Sequence, residues 1–283
     1  MIEGTTIADR DIGNIARSER NNWIEEIESQ IIDLAHYPTS YDVNCTQPVN
    51  FTECSYTEVL GGVYLKSQNL EINTRVMHKA SLNYEDEKHL SMLFDTIGDK
   101  YVLDSLDVDE YPDDVVFPPG DNLNDLVDPE ILARLMFDDE YAFIKPHPMM
   151  SDEAYRELQC TYGATRIIER NVSGMEVLKN AKTAYITAAS ELGIVAALWQ
   201  KSIVNVGRFT KESDTVYFPI NRVLLGTKNK GDRQARLNNM IACKSSGLLF
   251  PWMDDIEERT EAFYTNITNL RELHKPMAQA TTR

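Results

Sequence analysis

Hydrophobic residues in this chain follow two rhythms, and these alternate most regularly between Tyr141 and Gly207. Apolar bursts of strand length at 142–145, 165–168, 184–187 and 203–206 predict four buried strands. Amphipathic segments at 152–159, from Ser173 onward, and at 192–199 predict the helices between them. Ser173 has Glu176 three residues on, the spacing of a capping box. Strand–helix–strand repeated at this pace predicts an α/β fold with a parallel, doubly wound sheet.

The pattern upstream is less even. Trp23, Ile24, Ile27, Ile31, Ile32 and Leu34 recur at helical spacing and predict a helix over 22–35, ended by Pro38. Residues 41–55 read as loop with short strands. The run 59–65 reads as a strand holding Gly61-Gly62, where the glycines permit either close approach of another backbone or a plain bend. Residues 70–76 alternate well enough for a strand, and 85–97 carry Leu90, Leu93, Phe94 and Ile97 on one helical face. Strands follow at 101–106 and 115–117, then a Pro118-Pro119-Gly120-Asp121-Asn122 turn. Asp128-Pro129-Glu130 starts a helix that runs to about Phe137, with an N-cap Asp and Pro in the first turn. A domain boundary is placed in 122–128. Beyond Gly207, 216–220 and 223–225 read as short strands or loop, 226–239 as a mobile basic segment, and 256–273 as a last helix.

Open α/β sheets bind ligands outside the carboxyl ends of their strands. Lys145 and His147 follow the first strand of the regular stretch, Ser190 and Gly193 the third, and Gly207 and Arg208 the fourth. Pro146 and Pro148 stiffen the backbone on both sides of His147. A helix start behind Ser190 suits a phosphate.

Lys145-Pro-His147-Pro, followed some forty residues later by a strand, Ser190-x-x-Gly193, an apolar helix and Lys201-Ser-Ile-Val-Asn-Val-Gly207, resembles the carboxyl-terminal half of a GT-B glycosyltransferase. The likeness is to the branch with an HP motif and a downstream Ser motif, which includes bacterial sialyltransferases and capsule-polysaccharide transferases. It covers roughly residues 140–210. It implies two Rossmann-like domains with a donor cleft between them and a reduced amino-terminal half. The domains would be 1–125 on the acceptor side and 126–252 on the nucleotide-sugar side, with 253–283 as a helix crossing back. It also implies that His147 and Ser190 contact the phosphates of a UDP- or CMP-linked sugar. Where many GT-B enzymes place a ribose-holding Glu, two residues after the Gly, this chain has Val195; Glu191 lies one helical turn earlier.

Composition narrows the setting. With 42% apolar residues, no run long enough to span a bilayer and a polar, acidic amino terminus, the expectation is a cytoplasmic protein; the resemblance implies that the cell is bacterial or phage-infected. Cys45, Cys54, Cys160 and Cys243 lack CxxC spacing and read as reduced thiols, with no zinc site. The net charge of −17 opposes nucleic-acid binding, yet residues 201–236 hold eight basic and three acidic residues. That segment is +5 and the remainder −22. Lys228, Lys230, Arg233 and Arg236 therefore stand either as a solvated loop or as a contact strip for duplex DNA.

Glycosyl transfer needs the leaving phosphate stabilised and the acceptor hydroxyl deprotonated. His147, Lys145, Arg208 and the backbone amides of 190–193 form the cluster for the first task. Asp121 and Asp11 are the named candidates for the second, with Asp9, Glu19, Asp104 and Asp107 beside them. Asp107-x-Asp109 sits among Glu110, Asp113 and Asp114 and reads as an acidic turn, so metal-independent chemistry is expected and no cofactor beyond the donor. Three functions compete. One is transfer from a nucleotide sugar to a saccharide or to a hydroxymethylated base in DNA, as in phage DNA glycosyltransferases. The others are nucleotide-sugar epimerisation and non-catalytic binding of a nucleotide or partner.

Overall fold

The computed structural model describes residues 39–41, 54–83, 88–98, 103–106, 111–120, 126–213 and 215–280. The first sheet is mixed. Strand β1 (Thr39–Tyr41) runs parallel to β2 (Cys54–Val59), which turns back into β3 (Gly62–Ser67). Residues 63–64 of β3 pair antiparallel with β8 (Leu248–Leu249), near the end of the chain. The β2–β3 turn is made by Leu60 and Gly61, both at positive φ, 51° and 78°. Gly62 is where another strand comes close: a Cβ there would overlap the carbonyl oxygen of Leu249. The glycine pair therefore does both jobs, one residue bending and the other admitting a neighbour.

Helix α1 (Leu70–Ala80) replaces the strand expected at 70–76. The side-chain oxygen of Asn69 accepts from the Glu71 and Ile72 amides at 2.9 and 3.1 Å, which starts a helix. Ile72, Val76, Met77 and Ala80 then form its buried stripe. Two of those positions, 72 and 76, fit alternation as well as helical period, which is why the pattern misled. Helix α2 (Lys88–Thr96) buries Leu90 and Leu93, as its spacing predicts, but leaves Phe94 exposed. In the described part of 101–106, Asp104 makes one bridge, to Val172, and no strand forms.

The second sheet is parallel throughout, in the order β5-β4-β6-β7. Its strands are β4 (Asp114–Phe117), β5 (Ala142–Ile144), β6 (Thr183–Ile186) and β7 (Ser202–Asn205). Helix α3 (Pro129–Asp138) starts at Asp128, whose carboxylate accepts from the Glu130 and Ile131 amides. Helix α4 (Asp152–Tyr162) follows β5, α5 (Gly174–Asn180) precedes β6, and α6 (Leu192–Leu198) joins β6 to β7. Ser173 caps α5 through the Glu176 amide at 3.0 Å, while the Glu176 carboxylate turns to Tyr111 rather than closing the box. Residues 165–168 are not a strand. Ala164–Arg166 is a single 3-10 turn, and Ile167 makes one bridge with Ile144. The Arg166 guanidinium explains the departure: it donates to the carbonyls of Met136, Asp139 and Ala142, closing the end of α3.

Strand alternation sorts the two faces. Val115, Phe117, Ala184 and Ile186 pack with α5 and α6; Val116, Ala142 and Ile144 pack with α3 and α4. Helix α7 (Phe209–Glu212) is one turn long. The segments expected as short strands near 216–225 form one helix, α8 (Phe218–Leu225), with Pro219 in its first turn. The segment expected to be mobile is helix α9 (Lys230–Ala242), capped by Asn229 and anchored by buried Leu237, Met240 and Ile241. Helices α6, α8 and α9 share one apolar cluster with Leu60, Tyr64, Met77 and Leu93, so this layer joins the two sheets. Helix α10 (Ile256–Ala280) places Phe263, Tyr264 and Ile267 against Tyr56, Val63, Leu65 and Val76 of the first sheet and α1. The coarse expectation of an α/β fold with a parallel sheet thus stands. Among the described residues the amino-terminal half carries a mixed sheet, not a second parallel unit.

Candidate functional site at the carboxyl edge of the parallel sheet

Strand β4 is followed in sequence by β5 on one side and has β6 on the other. The chain therefore leaves the middle of the sheet in opposite directions, the arrangement that in open α/β sheets goes with a ligand crevice at the carboxyl ends of the strands. His147 lies three residues past β5 and Ser190 four past β6. Those strands are two inter-strand spacings apart, about 10 Å.

Lys145 is buried, and its ammonium group donates to the Pro146 carbonyl at 2.5 Å and the Arg170 carbonyl at 3.2 Å. It fastens the turn after β5 and does not reach outward. His147 is half-buried. Its Nδ1 accepts from the Met149 amide at 3.1 Å, so a neutral ring carries its proton on Nε2. The Ser190 hydroxyl accepts from the Leu192 amide at 3.3 Å, and its own hydrogen can be donated elsewhere. Glu191 reaches to the first sheet: its Oε1 accepts from the Leu60 amide at 2.5 Å, at the tip of the β2–β3 turn. Gly193 serves packing. A Cβ there would stand 2.6 Å from Oδ1 of Asn221, the fully buried residue through which α8 holds the carbonyls of Ala188 and Ser190. Arg208 is tied by its backbone to Leu126 and leads into α7.

A residue that sequence reasoning passed over sits at the centre of this edge. Glu212 is 1% exposed, and its carboxylate accepts from the amides of Ala188 and Ala189 in the loop after β6. Burial pushes its pKa up to about 7, against the pull of those two amides. The carboxylate fits because residue 207 is a glycine; any Cβ at Gly207 would overlap it. Among the described residues nothing pairs with the buried Thr187 hydroxyl beside this loop. The sequence signal for Glu212 was slight: a glycine at the end of a strand and a glutamate five residues on. The amides expected to meet a phosphate behind Ser190 are in part bonded within their own loop: Ser190 donates to the Thr187 carbonyl, Leu192 to the Ser190 hydroxyl and Gly193 to the Ser190 carbonyl.

The basic strip does not form one surface. Lys228 and Lys230 are exposed, but Arg233 is 5% exposed and donates to the carbonyls of Leu224, Thr227 and Lys201. It closes the end of α8 instead of facing a ligand. Arg236 points toward α1, with its guanidinium 3.4 Å from the Ser81 hydroxyl. The two acidic candidates, Asp121 and Asp11, lie outside the described residues, as do Asp9, Glu19, Asp107 and the expected helix at 22–35. Asp104 accepts from the Asn171 side chain at 2.6 Å. It lines a cavity of about 710 Å³ with Tyr111, Asp113, Tyr141 and Phe143. Asp113 precedes β4 and Tyr141 precedes β5, so this cavity opens at the opposite end of the sheet from His147.

Among the described residues no helix is long and apolar enough to cross a membrane, and no three His, Cys, Asp or Glu side chains are grouped to hold a metal ion. Comparison with protein-family models, with curated proteins and with solved structures finds no match to this chain.

Proposed function

We propose that the chain is a GT-B-type glycosyltransferase that binds a UDP- or CMP-linked sugar at the carboxyl edge of its parallel sheet and transfers the sugar to an acceptor hydroxyl. The observation that supports this is the pairing of the His147 and Ser190 loops at the ends of β5 and β6, on either side of β4. The strands that carry these loops stand about 10 Å apart, a span that the diphosphate and sugar of a nucleotide donor can bridge. In this reading Nε2–H of His147 donates to the leaving phosphate, where negative charge grows as the glycosidic bond breaks. The Ser190 hydroxyl donates to a second phosphate oxygen, and Arg208 forks onto the same group. Lys145, Glu191 and Gly193 act by holding the loops: Lys145 through two carbonyls, Glu191 through Leu60, Gly193 by admitting Asn221. Asp121 or Asp11 takes the acceptor proton. The burial of Arg233 weakens the DNA-acceptor version, so a saccharide hydroxyl is the favoured acceptor.

One observation favours a second reading, nucleotide binding without transfer. Val195 stands where many GT-B enzymes place a ribose-holding Glu, and the nearby Glu191 is engaged by the Leu60 amide. Turnover separates the two. Incubation with UDP-, CMP- and GDP-linked sugars should release free nucleotide slowly from at least one donor. His147→Ala should lower that rate by about 10² or more at an unchanged melting temperature. A thermal shift with a nucleotide sugar and no release would select the binding reading. Neither shift nor release with any donor would end both.

A further inference from the structure

Between α1, α7, α8 and α9 runs an open groove of about 900 Å³. Among the described residues lining it are the guanidinium groups of Arg75, Arg222 and Arg236 and the imidazole of His78, against one carboxylate, Glu71. This concentration of positive charge lies in a chain whose net charge is −17. The Arg222 guanidinium lies over the Phe209 ring, with Cζ 4.7 Å from the centroid, and 5.8 Å from the Phe218 centroid. Phe209 in turn meets Phe218 edge-on at 5.3 Å. The stack fixes the plane of the guanidinium in advance and leaves its N–H edge for a planar, charged partner. Phe209 is 54% exposed, so aromatic surface remains beyond what Arg222 covers. Arg75 and Glu71 pair at 2.5 Å in the open, an exposed pair of small worth that a stronger anion displaces. The Arg236 bond to Ser81 is long, at 3.4 Å.

An aromatic face beside several forked cations is complementary to a ring that carries phosphate. We propose that this groove is a nucleotide-binding site: the base lies against Phe209, and the phosphates are held by Arg222 and Arg236, with Arg75 and His78 on the α1 side. The nucleotide is either free or part of a single-stranded nucleic acid. The groove needs nothing from His147 or Ser190, so it stands or falls apart from the donor site.

Calorimetric titration in the His147→Ala background keeps the two sites distinct. ADP should bind at low salt, and Arg222→Gln with Arg236→Gln should weaken it tenfold or more. Phe209→Ala should weaken ADP while sparing tripolyphosphate. Arg75→Gln with His78→Asn, both on the exposed face of α1, gives a second pair that does not touch the Phe209 stack and should also weaken binding. Lys228→Gln with Lys230→Gln should leave it unchanged. A ten-nucleotide oligo-dT that binds more tightly than ADP, with a steeper salt dependence, assigns the groove to nucleic acid; the reverse order assigns it to free nucleotide. Failure of both ADP and the oligonucleotide to bind at low salt overturns the proposal. So does undiminished binding by the two α1-side substitutions together with the Arg222 and Arg236 pair.

Discussion

Glu212 is a carboxyl group whose charge the fold resists. Its ordinary pKa is 4.5, and burial raises it to about 7. Below about pH 4.5 the group is protonated folded or unfolded, and its full contribution to stability is present. As the pH rises the unfolded chain ionises first, so stability declines until the folded group ionises too, near pH 7. The loss is about 3 kcal/mol across that window. Glu212→Gln removes the titration while keeping an oxygen for the Ala188 amide. In urea unfolding at pH 5 and pH 8 the variant should therefore gain on the wild type by about that amount at the higher pH. Identical pH dependence in the two proteins would show that Glu212 stays charged at little cost. At this scale the legible residues were those with local partners. Ser173 and Asp128 announce helix starts because an N-cap bonds two or three residues along its own chain. Glu212 and Arg233 gave no such sign, because their partners lie 24 residues away in one case and up to 32 in the other.

Elements were legible where one period fitted and another did not. Strands β4 to β7 lie within a residue or so of where alternating apolar bursts predict them. Helix α1 was misread because its first apolar residues satisfy both periods, and the deciding group is Asn69, just outside the pattern. Helix α8 lies where short strands or loop are expected; its Pro219 sits in the first turn, where a missing N–H costs the helix nothing. The packing of α8 also changes the meaning of Gly193. As a phosphate-loop glycine, its replacement would impair ligand binding at unchanged stability. Pressed against Asn221, Gly193→Ala should instead destabilise the protein by about 1–3 kcal/mol, read from the urea midpoint. A midpoint equal to wild type would mean that α8 yields without cost.

At the scale of the whole molecule, the described residues join the two sheets through a shared layer of helices and through polar contacts that include one from loop to loop. None of this was legible. Binary pattern tells which face of an element is buried, not which distant element covers it, and β8 and α10 return to the first sheet from more than 180 residues away. The loop-to-loop contact runs from Glu191, beside the proposed donor-binding Ser190, to the backbone of Leu60. A leucine with φ of 51° is held in a conformation its side chain disfavours, and the carboxylate is part of what holds it. The Leu60 amide is therefore a gauge for a loop it does not belong to. A nucleotide sugar settling at Ser190 must either steady Glu191 or draw it away, and the hydrogen of that amide will exchange with deuterium more slowly or faster as a result. Its exchange rate should change on donor binding even though no atom of the first sheet touches the ligand. A rate indifferent to saturating donor would place the ligand somewhere other than the Ser190 loop.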